Sequence, residues 1–180
     1  MAAGDGLIVM TPTSINVTGT SGSINADGGV DFTAVTALSL NGVFTSSFDN
    51  YVVTFRGTDA ATLARIDSRL RLSGTDATAT NYTIQRIFAQ STSVSGERAT
   101  SQSYACGGYA SSTAMSGWTL HVYGPALAQP TAFRSVEVDG YNSAELIDQA
   151  ATHSLSTSYD GITFLGGTMT GAITVFGYEE

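Results

Sequence analysis

Residues 66–72 read Ile-Asp-Ser-Arg-Leu-Arg-Leu, with Ile66, Ser68, Leu70 and Leu72 on one parity and Asp67, Arg69 and Arg71 on the other. A two-residue period sends alternate side chains to opposite faces of a pleated strand, so this stretch predicts a half-buried strand with one wet face. The same alternation returns at 50–56, where Tyr51, Val53 and Phe55 oppose Val52, Thr54 and Arg56. Further β-rich runs fall at 38–44, 82–89, 117–124, 132–140, 144–153, 161–167 and 170–178, between phrases of Gly, Asn, Asp and Ser. Only 57–66 predicts a helical turn, with Asp59 as its cap. Eight or nine short strands with one-sided alternation predict an all-β chain. The expected architecture is an antiparallel β-sandwich, jelly-roll-like, with an up-and-down barrel as the alternative.

Residues 1–37 lack a firm period and read as an extended N-terminal arm, leaving 38–180 for the sandwich domain. Leu7, Ile8, Val9 and Met10 give the arm an apolar patch suited to anchoring on a partner. Polar segments at 74–81 and 91–103 predict loops, and Gly-Gly-Thr-Met-Thr-Gly at 166–171 predicts a hairpin connection. One phrase occurs twice: Ser-Ser-Phe-Asp-Asn before the run at 51–55, and Ser-Tyr-Asp-Gly before the run at 162–165. In both, Ser and Asp shape a turn and an aromatic, Phe48 or Tyr159, plugs the edge of the sandwich before a core strand begins.

Fifteen acids oppose seven bases, all of them Arg, for a net charge of −8. Nucleic-acid binding draws on clustered positive charge, so this balance argues against it. No apolar run approaches the ~18–20 residues of a membrane helix, and membrane insertion is not expected. The N-terminus has an acid and no Arg before its apolar patch, unlike a secretory signal, which predicts synthesis in the cytoplasm. Ser and Thr make up about a quarter of the chain. The apolar fraction of 42% nevertheless points to a packed fold.

Catalytic chemistry has little to stand on. No Gly-x-Ser-x-Gly nucleophile turn occurs, and His121 and His153 are isolated, without HxH or HExxH spacing for zinc. Most acids sit in turn phrases such as Thr58-Asp59-Ala60 and Thr75-Asp76-Ala77, where Asp bonds to nearby backbone. Cys106 stands alone and reads as a small buried residue. No catalytic residue, metal ligand or cofactor is therefore assigned. Arg69, Arg71 and Arg86 are candidates for an oligomer interface, since a planar guanidinium on a strand pairs well with carboxylates across a contact. Tyr104, Tyr109 and Trp118 are candidates for glycan contact, since amphipathic rings stack on sugar faces.

Three stretches taken in order resemble a module of tailed-bacteriophage virion proteins. They are Phe-Asp-Asn-Tyr-Val-Val-Thr-Phe-Arg-Gly at 48–57, Arg-Leu-Arg-Leu-Ser-Gly-Thr-Asp through Asn81-Tyr82, and the Tyr-Asp-Gly-Ile…Gly-Ala-Ile-Thr-Val-Phe-Gly-Tyr ending at 178. The resemblance covers 38–178 and fails in the arm. It implies a non-enzymatic structural protein on the particle surface, of the capsid-decoration, head-fibre or tail-associated kind. It further implies a homotrimer that partners phage capsid or tail proteins on the virion. The alternative it leaves open is a tail-associated module that binds a host receptor or carbohydrate.

Overall fold

A computed structural model of the chain describes residues 6–139 and 145–178. Among the described residues there are thirteen strands and no helix. In chain order they are β1 (Ile8–Val9), β2 (Ser14–Ile24), β3 (Val30–Asn41), β4 (Asn50–Asp59), β5 (Ala64–Leu72), β6 (Thr75–Asp76) and β7 (Tyr82–Gln90). Then follow β8 (Ser93–Gln102), β9 (Ala105–Ala110), β10 (Ser116–Tyr123), β11 (Thr131–Asp139), β12 (Glu145–His153) and β13 (Gly161–Tyr178). Every pairing is antiparallel. The fold is an all-β antiparallel sandwich of jelly-roll type, as the alternation predicts.

One hydrogen-bonded path runs β2-β3-β13-β4-β10-β11-β12-β7-β8, and a branch leaves β13 through β5 to β6 and β9. The path folds over on itself. The second half of β13 joins β4, β10, β11, β12, β7 and β8 in a long layer, while its first half joins β5, β6 and β9 in a short one. Contacts between the layers are specific. The Trp118 ring of β10 lies 5.5 Å from Phe164 of β13, Leu70 N of β5 donates to Tyr82 Oη of β7, and Ser135 Oγ of β11 donates to the Gly107 carbonyl of β9. Between them lie Tyr51, Val53, Leu70, Leu120, Val122, Ile162, Phe164 and Val175, all essentially without solvent contact. Each such side chain contributes about 1.5–3 kcal/mol when removed from water.

The strand that serves both layers has to bend. β13 changes register between Leu165 and Met169, and β2 does so between Thr18 and Gly19. Gly19 has φ +140°, a Cβ there would collide with the Ala34 carbonyl, and Ala34 itself sits at φ +49° with its N–H donated to Thr170 Oγ1 at 2.9 Å. These bulges line up across three strands and turn them together. The 166–171 segment expected to be a hairpin connection is thus the bent middle of one 18-residue strand.

The two repeated phrases do mark corners. Phe48 and Tyr159 are 7% and 4% exposed, and β4 and β13 begin two residues after each. Both corners hang from the same turn: Gly124 N donates to the Asp49 carbonyl at 2.9 Å, and Tyr159 N donates to the Pro125 carbonyl at 2.7 Å. Tyr51 fixes the first corner by accepting from Thr45 N and donating to Thr45 O, both at 2.7 Å.

Other expectations change. The turn expected to be helical, 57–66, is instead the end of β4, an Asp59 turn in which Oδ1 accepts from Ala61 N at 2.8 Å, and the start of β5. The polar 91–103 segment is largely strand β8, held by its register with β7 despite its composition. The boundary expected between 37 and 38 falls inside β3, which pairs with β2 on one side and β13 on the other, so the first strands belong to the sheet. The last residue of the 132–140 run and the first residue of the 144–153 run lie outside the described residues.

Replacing Tyr51 by Phe leaves the half-buried Thr45 N–H and carbonyl without their partner. The expected cost is about 1–3 kcal/mol, read as a Tm lower by several degrees in thermal unfolding.

Candidate functional site

The residues singled out from sequence do not gather at one place. Ile8 and Val9 pair with Gly177 and Phe176 of β13, and Met10 N donates to the Val175 carbonyl at 2.8 Å. Ile8 and Met10 pack on the chain's own core, so of the apolar arm patch Leu7 and Val9 remain exposed. Arg71, 6% exposed, is held by Asn41 Oδ1 at 3.0 Å, Ser39 Oγ at 3.0 Å, Thr163 Oγ1 at 2.7 Å, Asp76 and the Gly74 carbonyl. Arg86, 2% exposed, reaches inward to Tyr109 Oη at 2.8 Å and sideways to Glu97 at 3.2 Å. Arg69 donates Nε to the Ser103 carbonyl at 2.9 Å. These guanidinium groups organise their own chain, and Arg71 and Arg86 are covered by it and unavailable to a neighbouring copy.

The aromatic candidates are likewise engaged. Trp118 is 3% exposed, with its ring stacked on Phe55 at 4.7 Å and 3°, so neither face is open to a sugar. The half-buried Tyr109 accepts from Arg86 and meets Phe88 edge-on at 6.3 Å. The Arg65 guanidinium covers the ring of Tyr104 at 4.7 Å. Trp118 entered the core because inward and outward positions alternate along β10, and its parity is that of Leu120 and Val122.

The opposite parity builds a surface that the candidate residues missed. Gly117, Thr119, His121 and Tyr123 of β10 face outward between Thr54 and Arg56 of β4 and Arg134, Val136 and Val138 of β11. Because Gly117 has no side chain, a shallow groove of roughly 400 Å³ opens over it, walled by Thr54, Thr119, Val136 and Val138, with Arg56 at its end. Farther along the same face, Ala150 of β12 floors a hollow of roughly 250 Å³ beside Thr83, Gln85, Thr152 and Arg98. Between the two, Arg134 Nη2 donates to Asp148 at 2.8 Å in an exposed pair, and His121 stacks on Tyr123 at 6.0 Å and 13°. Hydroxyls, aliphatic walls and a guanidinium on a firm sheet can hydrogen-bond and pack a polar ligand. The carboxylate nearest the groove, Glu137, points into the core and accepts from Tyr109 N at 3.0 Å.

Reactive groups lie elsewhere and are muted. Burial pushes the Cys106 thiol up to about 12, which keeps it protonated and inert. Burial lowers the His153 imidazole and keeps it neutral between the rings of Tyr82 and Tyr159. Among the described residues no three of His, Cys, Asp or Glu stand together as a metal cage.

What fold and face define is an antiparallel β-sandwich module with an open, polar-and-aliphatic sheet face. The sequence matches no family profile and no curated protein. Among solved structures it is similar to the galectin LEC-6 of Caenorhabditis elegans, at 12% identity and TM-score 0.39, covering 85% of this chain and 99% of that one. It is also similar to the C-terminal CBM6 of LamC, a laminarinase of Zobellia galactanivorans, at 13% identity and TM-score 0.33, covering 94% and 97%. A third is the CBM2 module of an evolved Dit from Lactobacillus casei BL23 phage J-1, at 14% identity and TM-score 0.27, covering 94% and 93%.

Trp118→Ala removes a stacked core ring and should cost about 3–5 kcal/mol. Chemical denaturation of the variant measures that loss, whereas a surface glycan contact would leave the midpoint unchanged.

Proposed function

We propose that this chain is a non-enzymatic module of a tailed-phage particle that holds a host-surface carbohydrate on the outer face of its long layer. The phage assignment is supported by the three resembling stretches, which here form β4, β5–β6 and β13. These strands are direct neighbours: β4 pairs with β13, and β13 with β5. The glycan assignment is carried by the groove over Gly117, where Thr54 and Thr119 offer hydroxyls and Val136 and Val138 offer an apolar wall. Sugars ask for that combination, because hydroxyl edges and C–H faces alternate around a pyranose. The groove lies on paired strands and not on loops, so its geometry is already formed before a ligand arrives.

A second reading, a decoration protein that associates through this face, draws on a stripe of exposed aliphatics. Ile87, Val94, Val136, Val138 and Leu146 are 40–73% exposed and sit in adjacent rows across β7, β8, β11 and β12. Contiguous apolar surface of this kind marks a contact with another macromolecule. The two readings compete for Val136 and Val138, so one wall cannot serve both at once.

The deciding experiment labels purified protein, stains host cells, and repeats the stain with Gly117→Leu. A Cβ at Gly117 meets only the Phe55 carbonyl at 3.5 Å, so the variant should fold with stability within about 0.5 kcal/mol of the parent while filling the groove. Staining at least about tenfold weaker is expected, and unchanged staining would overturn the glycan reading. Light scattering gives the solution mass. A trimer that falls to monomer on Val138→Ser with Leu146→Ser favours decoration, and a monomer at all concentrations excludes self-association through the stripe.

A further inference from the structure

The chain has seven Arg, and their placement is uneven. Arg65 pairs with Asp67, Arg71 with Asp76, Arg86 with Glu97 and Arg134 with Asp148, while Arg69 is bonded to the Ser103 carbonyl. The remaining two, Arg56 and Arg98, are exposed and have no acidic partner within salt-bridge distance among the described residues. Both lie on the outer face of the long layer, and each stands at a depression: Arg56 at the Gly117 groove, Arg98 at the Ala150 hollow. With Arg134 this face carries three Arg against one acid, Asp148, among its described outward positions from β4 to β8, and the exposed Asp31 of β3 lies in the row of Arg56, two strands away across Ala172. That is locally basic on a chain of net charge −8.

We propose that the ligand of this face is a carboxylate-bearing linear polysaccharide, lying across the long layer with one acidic sugar at Arg56 and another at Arg98. The proposal rests on the glycan-binding reading above and names its ligand class. The register gives the span. Arg56 shares a row with Gly117, Val138, Leu146, Ala89 and Val94, and Arg98 lies four residues beyond Val94 on β8. Five strand spacings and four residues of stagger separate the two by roughly 25–30 Å, the reach of an oligosaccharide and beyond a single sugar. A guanidinium grips a carboxylate through two parallel hydrogen bonds, stronger than a neutral contact and fixed in direction. Thr54 and Thr119 at one end, and Thr83, Gln85 and Thr152 at the other, supply hydroxyl and amide partners beside each Arg. Acids outnumber Arg over the rest of the chain, so net repulsion there steers an anionic polymer toward this face.

The test measures binding of the purified protein to polygalacturonate, hyaluronate and polysialate, to neutral dextran and galactan, and to poly-glutamate, at low and high salt. Variants Arg56→Ala, Arg98→Ala and the double are compared with the parent, with thermal unfolding as the fold control, since both side chains are exposed. At least one carboxylated polysaccharide should bind, weaken about tenfold in each single variant, vanish in the double, and weaken with salt. Neutral glycan binding that ignores both substitutions would overturn the acidic assignment and leave the glycan reading standing. Equal binding of poly-glutamate would overturn it too, since the face would then read charge without sugar. Failure of every polysaccharide, together with cell staining unchanged by Gly117→Leu, would remove both.

Discussion

A single 18-residue strand, β13, holds this molecule together. Its first five residues pair with β5 and β3, and its residues from Met169 onward pair with β4, so the two layers are joined through continuous backbone as well as by side-chain packing. That arrangement requires the strand and its neighbours to turn at one level. Gly166 and Gly167, the Gly19 bulge and the left-handed Ala34 supply the turn. A Cβ at Gly167 would meet the Asp59 carboxylate, so at the bend the backbone also closely approaches a buried side chain. With β13 in place, β4 and β5 have fixed positions, and β10 to β12 can only extend the layer outward.

The short layer closes its own polar surface. Asn41 donates to Ser14 and Asn16, Arg71 gathers Asn41, Ser39, Thr163 and Asp76, and Thr163 bonds to Ser39 and Asp76 in turn. Polar groups that satisfy one another have little to gain from a ligand. The long layer is different on its outer face. There Thr54, Arg56, Thr119 and Arg98 project into solvent on a firm sheet, beside depressions created by the small residues Gly117 and Ala150. Recognition is therefore assigned to the face whose polar groups are still open.

Much of this was legible from residues alone. The parity of 50–56 already set Arg56 and Thr54 opposite the core residues Tyr51, Val53 and Phe55, and the parity of 117–123 already set His121 outward. The paired phrases at Phe48 and Tyr159 marked strand corners. Trp118 was readable as core by the same rule, since it shares the parity of Leu120; its aromatic character alone drew it toward the surface. Strand β8 was not legible, because Ser-Val-Ser-Gly-Glu-Arg has weak strand propensity and takes its conformation from the β7 register. The bend in β13 was hidden because Gly-Gly between two strands serves a hairpin and a bulge equally well.

The sequence by itself determined the class of fold, the inward and outward sides of regularly alternating strands such as β4 and β10, and the scarcity of reactive groups, because these follow from local periodicity and composition. Only the tertiary structure decided which outward sides remain open. Arg71 and Arg86 look like surface residues along the chain, yet strands distant in sequence cover them and supply their partners. Arg56, Gly117 and Arg98 are unremarkable in isolation. Five strand pairings bring them onto one sheet face, and that register, set by long-range backbone hydrogen bonds, lies beyond the reach of any local pattern.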